Sequence, residues 1–185
     1  SSILALNKFQ NDTYIFGVAG LQNYGMLNDP SLLPDIVGVD WASATAEQVF
    51  AEFQKLYAQL VTQANGLVRA RDAMTLILSP AMEAHLHKTN QYGLNVYDLL
   101  TKNYPNLKIE SVPEYSTAAG EKIQLMLDSY LGRKTAELAF PDKLRVHAVE
   151  VKTSGWLQKR SQSTLGAIIY YPVFIAGMLA QNGTP

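Results

Sequence analysis

The stretch from Gly17 to Pro34 reads GVAGLQNYGMLNDPSLLP, and it is the most informative part of this 185-residue chain. It is apolar, it contains three glycines, and it closes on an Asn-Asp-Pro sequence followed by Pro34. Glycine permits a positive φ or a close approach of two backbones, and Asn-Asp-Pro commonly starts a turn. The stretch therefore predicts a buried, sharply folded loop that extends to Gly38.

The composition limits the class of protein. Hydrophobic residues make up 48% of the chain and charged residues 17%, against an average charged fraction of about 25%. This low charged fraction is consistent with an oligomer that buries part of its surface between subunits. It is equally consistent with a protein that has a large core and few surface lysines. There is no cysteine, which excludes disulfides and thiolate metal sites. The chain begins without Met or a signal peptide, and we expect it to start inside a longer gene product.

The charge is unevenly distributed. Residues 1–66 carry two basic and six acidic side chains, residues 67–132 six and seven, and residues 133–185 seven and three. The first part therefore has a net charge of −4 and the last part +4. The acidic part of one subunit could contact the basic part of the next, or the basic part could face nucleic acid. A third interpretation is that the charged residues are distributed by chance over a solvated surface.

The clearest helix is predicted over residues 46–65. Thr45 and Gln48 have the spacing of a capping box, in which each side chain satisfies a free backbone N–H of the first turn. Asn65-Gly66 supplies a left-handed stop. Apolar residues recur on one face at helical spacing, and these are Val49, Phe50, Phe53, Leu56, Tyr57, Leu60, Val61 and Ala64.

Two shorter helices have their own start signals. Ser79 precedes Pro80, a residue favoured at the first helical position, and the helix is expected to run to about Lys88. Asn95 is placed to cap a second helix over residues 96–103.

Strands are predicted where apolar, β-branched and alternating residues recur. A turn at Leu131-Gly132-Arg133 separates two of them. The predicted strands are residues 74–78, 107–112, 122–130, 135–140 and 144–152.

The apolar segment from Leu165 to Ala180 could be mistaken for a membrane span. Its sixteen residues fall short of the ~20 that a spanning helix needs, and Pro172 and Gly177 interrupt them. The runs 168–171 and 173–175 are β-branched and aromatic, so we predict buried strands that break at Pro172. No membrane association is expected.

The predicted order is helix, strand, two helices and then strands, without βαβ alternation. This order favours an α+β fold with a mostly antiparallel sheet, formed by the whole chain as a single domain.

Taken in order, these segments resemble the core domain of tailed-phage and prophage major capsid (coat) proteins. The opening stretch matches the wording GLxNxxGxLNDPxLxP near the start of that core, and Tyr171-Pro172-Val173 with Ala176-Gly177 resembles its last strand. The resemblance is carried by GLQNYGMLNDPSLLP, the helix over 46–65, MTLILSPAMEAHL, LKIESVPEY, KIQLMLDSY and LRVHAVEVKTSGWLQKRSQSTLGAIIYYPVFIAGML.

The resemblance implies the tailed-phage major capsid fold, with a long amphipathic helix and mostly antiparallel sheets. A peripheral lobe would comprise about residues 1–69 and 136–185, and an axial lobe about residues 70–135. It implies a structural subunit without catalytic residues, cofactor or metal, which self-associates into pentamers and hexamers of an icosahedral head. The head would enclose DNA through non-specific contacts, with scaffold, portal or decoration proteins as further partners. The protein would occupy the virion capsid, and the bacterial host cytoplasm during assembly.

The chain departs from that family at its start. Members carry an N-terminal arm and an extended loop before the core, and this chain begins after the place expected for both. We expect them to have been cut away or to lie in another part of the gene product.

Glu83, His85 and His87 form a compact cluster of possible metal ligands. Zinc needs imidazoles that converge on one point. The Pro80 start favours a helix here, and helical residues two apart face different sides, so we interpret both histidines as surface residues.

A basic cluster with an aromatic residue lies at the end of the predicted strand 144–152 and just after it. It comprises Lys152, Trp156, Lys159 and Arg160. Such a cluster could stack bases and meet phosphates, or it could be a solvated surface turn. Because Trp and Arg are enriched at the centres of interfaces, we predict that Trp156, Lys159 and Arg160 contact a neighbouring subunit.

Three other kinds of protein stay open at this point. One is an encapsulin-like nanocompartment shell protein, which has a related fold around protein cargo. Another is a small metal-dependent enzyme that uses Glu83, His85 and His87. The third is another virion structural protein, such as an adaptor or a decoration protein.

Overall fold

The fold is seen in a computed structural model. It describes Lys8 and residues 25–139, 142–152, 155–163 and 166–181, with the backbone but not the side chains of 138–139, 142–152, 155–163 and 166. The first part of the glycine-rich loop, residues 17–24, lies outside the described residues.

Three helices and twelve strands make up the described chain. The helices are α1 (Ala46–Gln63), α2 (Pro80–His85) and α3 (Val96–Asn103). The strands are β1 (Ile36–Gly38), β2 (Met74–Leu78), β3 (Leu107–Ser111), β4 (Ser116–Thr117), β5 (Gly120–Leu127), β6 (Ser129–Tyr130), β7 (Arg133–Lys134), β8 (Ala136–Ala139), β9 (Asp142–Lys152), β10 (Gly155–Ser163), β11 (Gly166–Ile169) and β12 (Ile175–Ala180).

The chain divides into two compact units. The first comprises residues 1–30 and 136–169, and the second comprises residues 31–135 and 170–185. The second unit thus contains α1 together with the segment predicted for the axial lobe. Peripheral and axial are positions within a shell, so that predicted division of the chain stays a prediction.

A six-stranded sheet forms the second unit. Its order is β1-β12-β5-β2-β3, and β4 pairs with the remaining part of β5. β5 is antiparallel to β2, β4 and β12, while β1–β12 and β2–β3 are parallel. The predicted α+β class with mostly antiparallel pairing is therefore confirmed.

One expectation about the chain path is wrong. The predicted loop up to Gly38 ends in a strand, because β1 pairs with β12, far away in sequence. The sequence patterns also did not predict that β2 and β3 are parallel neighbours, connected through α2 and α3. Both pairings are set by tertiary contacts that local sequence patterns do not report.

Helix α1 begins at the predicted capping box. The Thr45 hydroxyl accepts from the Gln48 backbone N–H at 3.3 Å, and the Gln48 side chain accepts from the Thr45 N–H at 2.8 Å. The helix ends at Gln63, two residues before the predicted end, and Asn65 then takes a φ of 52°. Local signals therefore fix both ends of this helix.

The core lies between α1 and the sheet. One face of α1 is buried, and the rings of Phe53 and Tyr57 each pack edge-on against Tyr104, at centroid distances of 4.9 and 5.1 Å. Every residue of β2 is buried. Tyr115 is also fully buried, and its hydroxyl donates to the Gln124 side chain at 2.5 Å. Burial raises the pKa of Tyr115, so the phenol stays protonated and donates this hydrogen bond.

The C-terminal segment enters the sheet through a single turn of 3₁₀ helix. Pro172–Phe174 forms this turn, and β12 starts only at Ile175. The strand predicted over 173–175 is therefore wrong for its first two residues, because Pro172 favours the first position of a helical turn. The Gln63 side chain at the end of α1 donates to the carbonyls of Val173 and Ile175, at 3.0 and 2.6 Å.

Gly177 allows an ion pair to cross β12. The Asp35 carboxylate just before β1 reaches Lys122 of β5. A Cβ on residue 177 would overlap the Asp35 carboxylate. The missing side chain therefore leaves room for the ion pair that links the two strands on either side of β12.

In the first unit, the described part of residues 136–169 consists of paired strands. β9 and β10 form an antiparallel hairpin with two register irregularities, and β8 pairs antiparallel with β11. Among the described residues, no helix is both long and apolar enough to cross a membrane.

The capping box of α1 gives a stability prediction. Thr45→Ala removes the acceptor for the Gln48 backbone N–H and should lower the free energy of unfolding by about 1 kcal/mol. Thr62→Ala is the matched control, because the Thr62 hydroxyl bonds only to the Ala58 carbonyl within the same helix. That change should stay within about 0.5 kcal/mol of wild type. Urea unfolding measures both, and equal losses would contradict a role for the cap.

Candidate functional site

The residues predicted from the sequence as a subunit contact lie on one strand. Trp156, Lys159 and Arg160 all belong to β10. Trp156 is opposite Val151 and Arg160 is opposite Val146, with a register shift between them. A bulge of this kind bends a hairpin locally. The three residues thus lie within five consecutive positions of one strand. Their contact with a neighbouring subunit stays a prediction.

The histidine cluster is divided between a helix and a loop. Glu83 and His85 lie in α2, whereas His87 follows it and its ring stacks on Tyr97 at a centroid distance of 6.2 Å. Burial, and then the nearby positive charge of Lys88, lower the pKa of His85. Within the described ranges, no group of three His, Cys, Asp or Glu side chains could hold a metal ion.

A lysine clasp fixes the turn between β1 and α1. The Lys88 Nζ donates to the carbonyls of Trp41, Ala42 and Ala44, at 2.5, 3.0 and 2.6 Å. Three carbonyls around one ammonium satisfy all of its donors. The clasp thereby holds residues 41–44 in one conformation beside the start of α1.

An acidic depression of about 320 Å³ lies against this turn. It is lined by Val39, Asp40, Ser43, Ala44, Gln48, Ala51 and Glu52. The Glu52 side chain accepts from the Val39 N–H at 3.0 Å, and the residue is only 9% exposed. A hydrogen bond from the Ala42 N–H lowers the pKa of Asp40. Asp40 therefore places negative charge in this depression at neutral pH, and the Glu52 carboxylate lines it as well.

The hairpin of β6 and β7, called the Leu131 hairpin (residues 129–134), carries an exposed apolar tip. Leu131 and Gly132 both have positive φ, 49° and 77°. A two-residue hairpin turn with two positive φ values favours Asn-Gly. A leucine in this left-handed region costs about 1–2 kcal/mol. Leu131 is also 86% exposed, so packing within the molecule does not compensate for that cost.

A second exposed tip, which carries an aromatic ring, lies on the loop between α2 and α3. The Asn90 side-chain oxygen accepts from the backbone N–H groups of Tyr92 and Leu94, at 2.9 and 3.0 Å. Tyr92 at the tip is 77% exposed. This loop is held by its own hydrogen bonds and presents an aromatic ring to the outside.

Sequence reasoning missed the acidic depression, the lysine clasp and both exposed tips. For Leu131 a signal was present, because a large apolar residue occupied a predicted turn. For the clasp there was none, because Lys88 and its three carbonyl partners are more than forty positions apart.

The sequence profile of one protein family covers nearly the whole chain. The family is described as Pa193 gp26 major capsid protein, and its profile matches residues 1–180. The chain belongs to this family of major capsid proteins. The resemblance seen in the sequence is thereby confirmed.

Solved structures show the same fold in other capsid proteins. The capsid of Myoviridae phage XM1 matches 96% of this chain with a TM-score of 0.77 at 12% identity, and Mycobacterium phage Che8 matches 96% with 0.57 at 12%. A virus-like particle from Pyrococcus furiosus matches 79% with a TM-score of 0.51 at 14% identity. The tailed-phage capsid fold of this family member is therefore shown.

The chain spans only part of those neighbours. It covers 62% of the XM1 chain, 59% of the Che8 chain and 57% of the virus-like particle chain. No curated protein sequence matches it.

Membership of the capsid protein family gives this chain a structural role in the virion capsid. Its functional sites are then surfaces that touch other proteins. In the second unit, the acidic depression and the two exposed tips are the candidates for such surfaces.

The predicted contact on β10 can be tested in the full-length capsid protein that contains this chain. Replacing Trp156 and Arg160 together by Ala should reduce shell formation, because both residue types contribute strongly at interface centres. Particle yield by size-exclusion chromatography and electron microscopy measures the effect. Normal yield from the double variant would show that the β10 cluster is a solvated surface.

The lysine clasp gives a stability prediction for this family member. Lys88→Met leaves three carbonyls without their donor and should lower the free energy of unfolding by about 1–3 kcal/mol. Lys102→Met is the control, because Lys102 is an exposed residue of α3. Chemical denaturation measures both variants, and an equal loss in the two would show that the clasp contributes nothing specific.

Proposed function

We propose that this chain is the core of a shell subunit that associates with copies of itself into pentamers and hexamers, which close into an icosahedral phage or prophage head around DNA. The observation that carries the proposal is the family match over residues 1–180. The capsid neighbours, the XM1 chain above all, support it through the fold.

The surface of the second unit supports self-association. Large apolar side chains are exposed on turns that are ordered by hydrogen bonds or by hairpin geometry, as at Tyr92 and Leu131. The low charged fraction of 17% fits a subunit that is largely surrounded by others. Because a shell repeats each contact many times, every one of them can be weak.

The proposal also covers the partners of the subunit and the compartment in which it assembles. We propose non-specific contact with packaged DNA, for which residues 133–185 supply a net charge of +4. Assembly in the cytoplasm of a bacterial host, aided by scaffold, portal or decoration proteins, completes the proposal.

Electron microscopy of the full-length gene product tests the proposal directly. The protein would be expressed alone and together with its genomic neighbours, then viewed in negative stain. Closed shells or flat sheets of capsomers are the expected result. Uniformly small particles under all conditions would contradict the proposal.

The contents of such particles separate a phage head from a nanocompartment. A nanocompartment shell around protein cargo is the second candidate. The virus-like particle neighbour supports it through the fold, although it matches less of the chain than the phage capsids do. Nucleic acid in the particles and terminase or portal genes nearby would support a head. A co-purifying cargo enzyme encoded next to the gene would support a compartment instead.

A further inference from the structure

The Leu131 hairpin is built to contact something outside its own subunit. Its tip residue, Leu131, has a φ of 49° and is 86% exposed. In the isolated subunit a leucine at this position is therefore stabilised neither by a favourable backbone conformation nor by packing. Asn at the same position would fit the turn better. The leucine therefore points to a contact that forms only on association.

The hairpin carries positive charge beside this apolar tip. The Arg133 guanidinium lies 4.1 Å from the centroid of the Tyr170 ring, which anchors it to the subunit. Lys134 is exposed, and the described part of the chain offers it no ion pair. A matching surface would therefore combine an apolar pocket with carboxylates.

The acidic depression has this combination. Val39, Ala44 and Ala51 contribute apolar surface, and Asp40 and Glu52 contribute carboxylates. Glu52 is 9% exposed and has no ion-pair partner among the described residues. A buried carboxylate without a cation is costly, so the depression favours a ligand that brings positive charge.

An adjoining depression of about 690 Å³ is less suited to the hairpin. It shares Ala44 with the acidic depression but is also lined by Lys88. The positive charge of Lys88 would repel Arg133 and Lys134.

The hairpin and the acidic depression lie at opposite ends of the same sheet. Gly38 at the end of β1 is level with Ala180 of β12, which is opposite Glu121 near the start of β5. The depression follows Gly38 directly, whereas the hairpin follows Leu127 at the other end of β5. Eight residues of strand separate the two ends by roughly 25 Å. The hairpin therefore cannot occupy the depression of its own subunit.

We infer that the Leu131 hairpin of one subunit inserts into the acidic depression of a neighbouring copy, with Leu131 in the apolar part and Lys134 near the two carboxylates. Different surfaces at opposite ends of one unit give a head-to-tail contact, and such contacts form a ring when the rotation between successive copies closes. Charge complementarity and the position of the two surfaces favour a second copy of this chain as the partner. The inference rests on the proposed self-association and names a contact that serves it.

A substitution at the tip separates folding from assembly. Leu131→Asn fits the turn, so the midpoint of thermal unfolding should stay equal to wild type or rise. The critical concentration for shell assembly should rise about tenfold or more, because the leucine no longer becomes buried. Leu67→Asn is the matched control, since Leu67 is also an exposed leucine, 52% accessible, outside both surfaces. Its critical concentration should match that of wild type.

A charge reversal tests the partner surface. Ala51 is exposed on α1 and lines the acidic depression, so Ala51→Lys should weaken assembly by placing a cation opposite Lys134. Lys134→Glu alone should also weaken it. The two changes combined should restore assembly toward wild type, because the new carboxylate at position 134 would then face the new ammonium at position 51.

The outcomes distinguish this inference from the proposed function. If wild type forms shells and Leu131→Asn forms them at the same concentration, the inference is overturned and the shell function stands. If Leu131→Asn weakens assembly but the charge reversal gives no rescue, the hairpin docks elsewhere and the named contact is wrong. A wild-type protein that never assembles would overturn both.

Discussion

The structure of the second unit depends on the insertion of β12 between β1 and β5. The partners of β12 come from opposite parts of the chain, and Met178 faces Ile36 on one side and Ile123 on the other. Pairing over such sequence separations costs loop-closure entropy, which burial must offset. Met178 is fully buried, the side chain of Gln63 fixes the entry to the strand, and Gly177 leaves room for the Asp35–Lys122 ion pair across it.

The functional surfaces follow from that insertion. Once β1 is held beside β12, the turn after Gly38 must reverse toward α1, and the carbonyls of this turn point at Lys88. The clasp then shapes one wall of the acidic depression. At the other end, β5 runs on through Asp128 into the Leu131 hairpin, and the Asp128 N–H and carbonyl bond to Ala73 and Thr135. A single sheet thus positions two unlike surfaces at its two ends.

Local sequence signals predicted the helix starts well, but they did not predict which strands pair over long sequence separations. The capping box at Thr45 and the caps at Ser79 and Asn95 all lie within one turn of the helix that they start, and all three form. The parallel neighbours β2 and β3 were missed, because nothing in either strand encodes which strand lies beside it. Among functional surfaces, the tip residue Leu131 stood in a predicted turn, but its exposure depends on what the rest of the chain leaves uncovered. The acidic depression joins two elements and has no sequence motif.

The energetics of the Leu131 hairpin suit a shell that must assemble without errors. Burying a leucine yields about 1.5–3 kcal/mol. The strain of the left-handed backbone, about 1–2 kcal/mol, is the same in the free and the assembled subunit and does not change this gain. A single contact of this size is weak, so a misplaced subunit can leave again. In a closed shell each subunit makes several such contacts at once, and dissociation must break all of them. Individually weak contacts are thus compatible with a stable shell. A structural subunit therefore needs no contact stronger than that of the Leu131 hairpin.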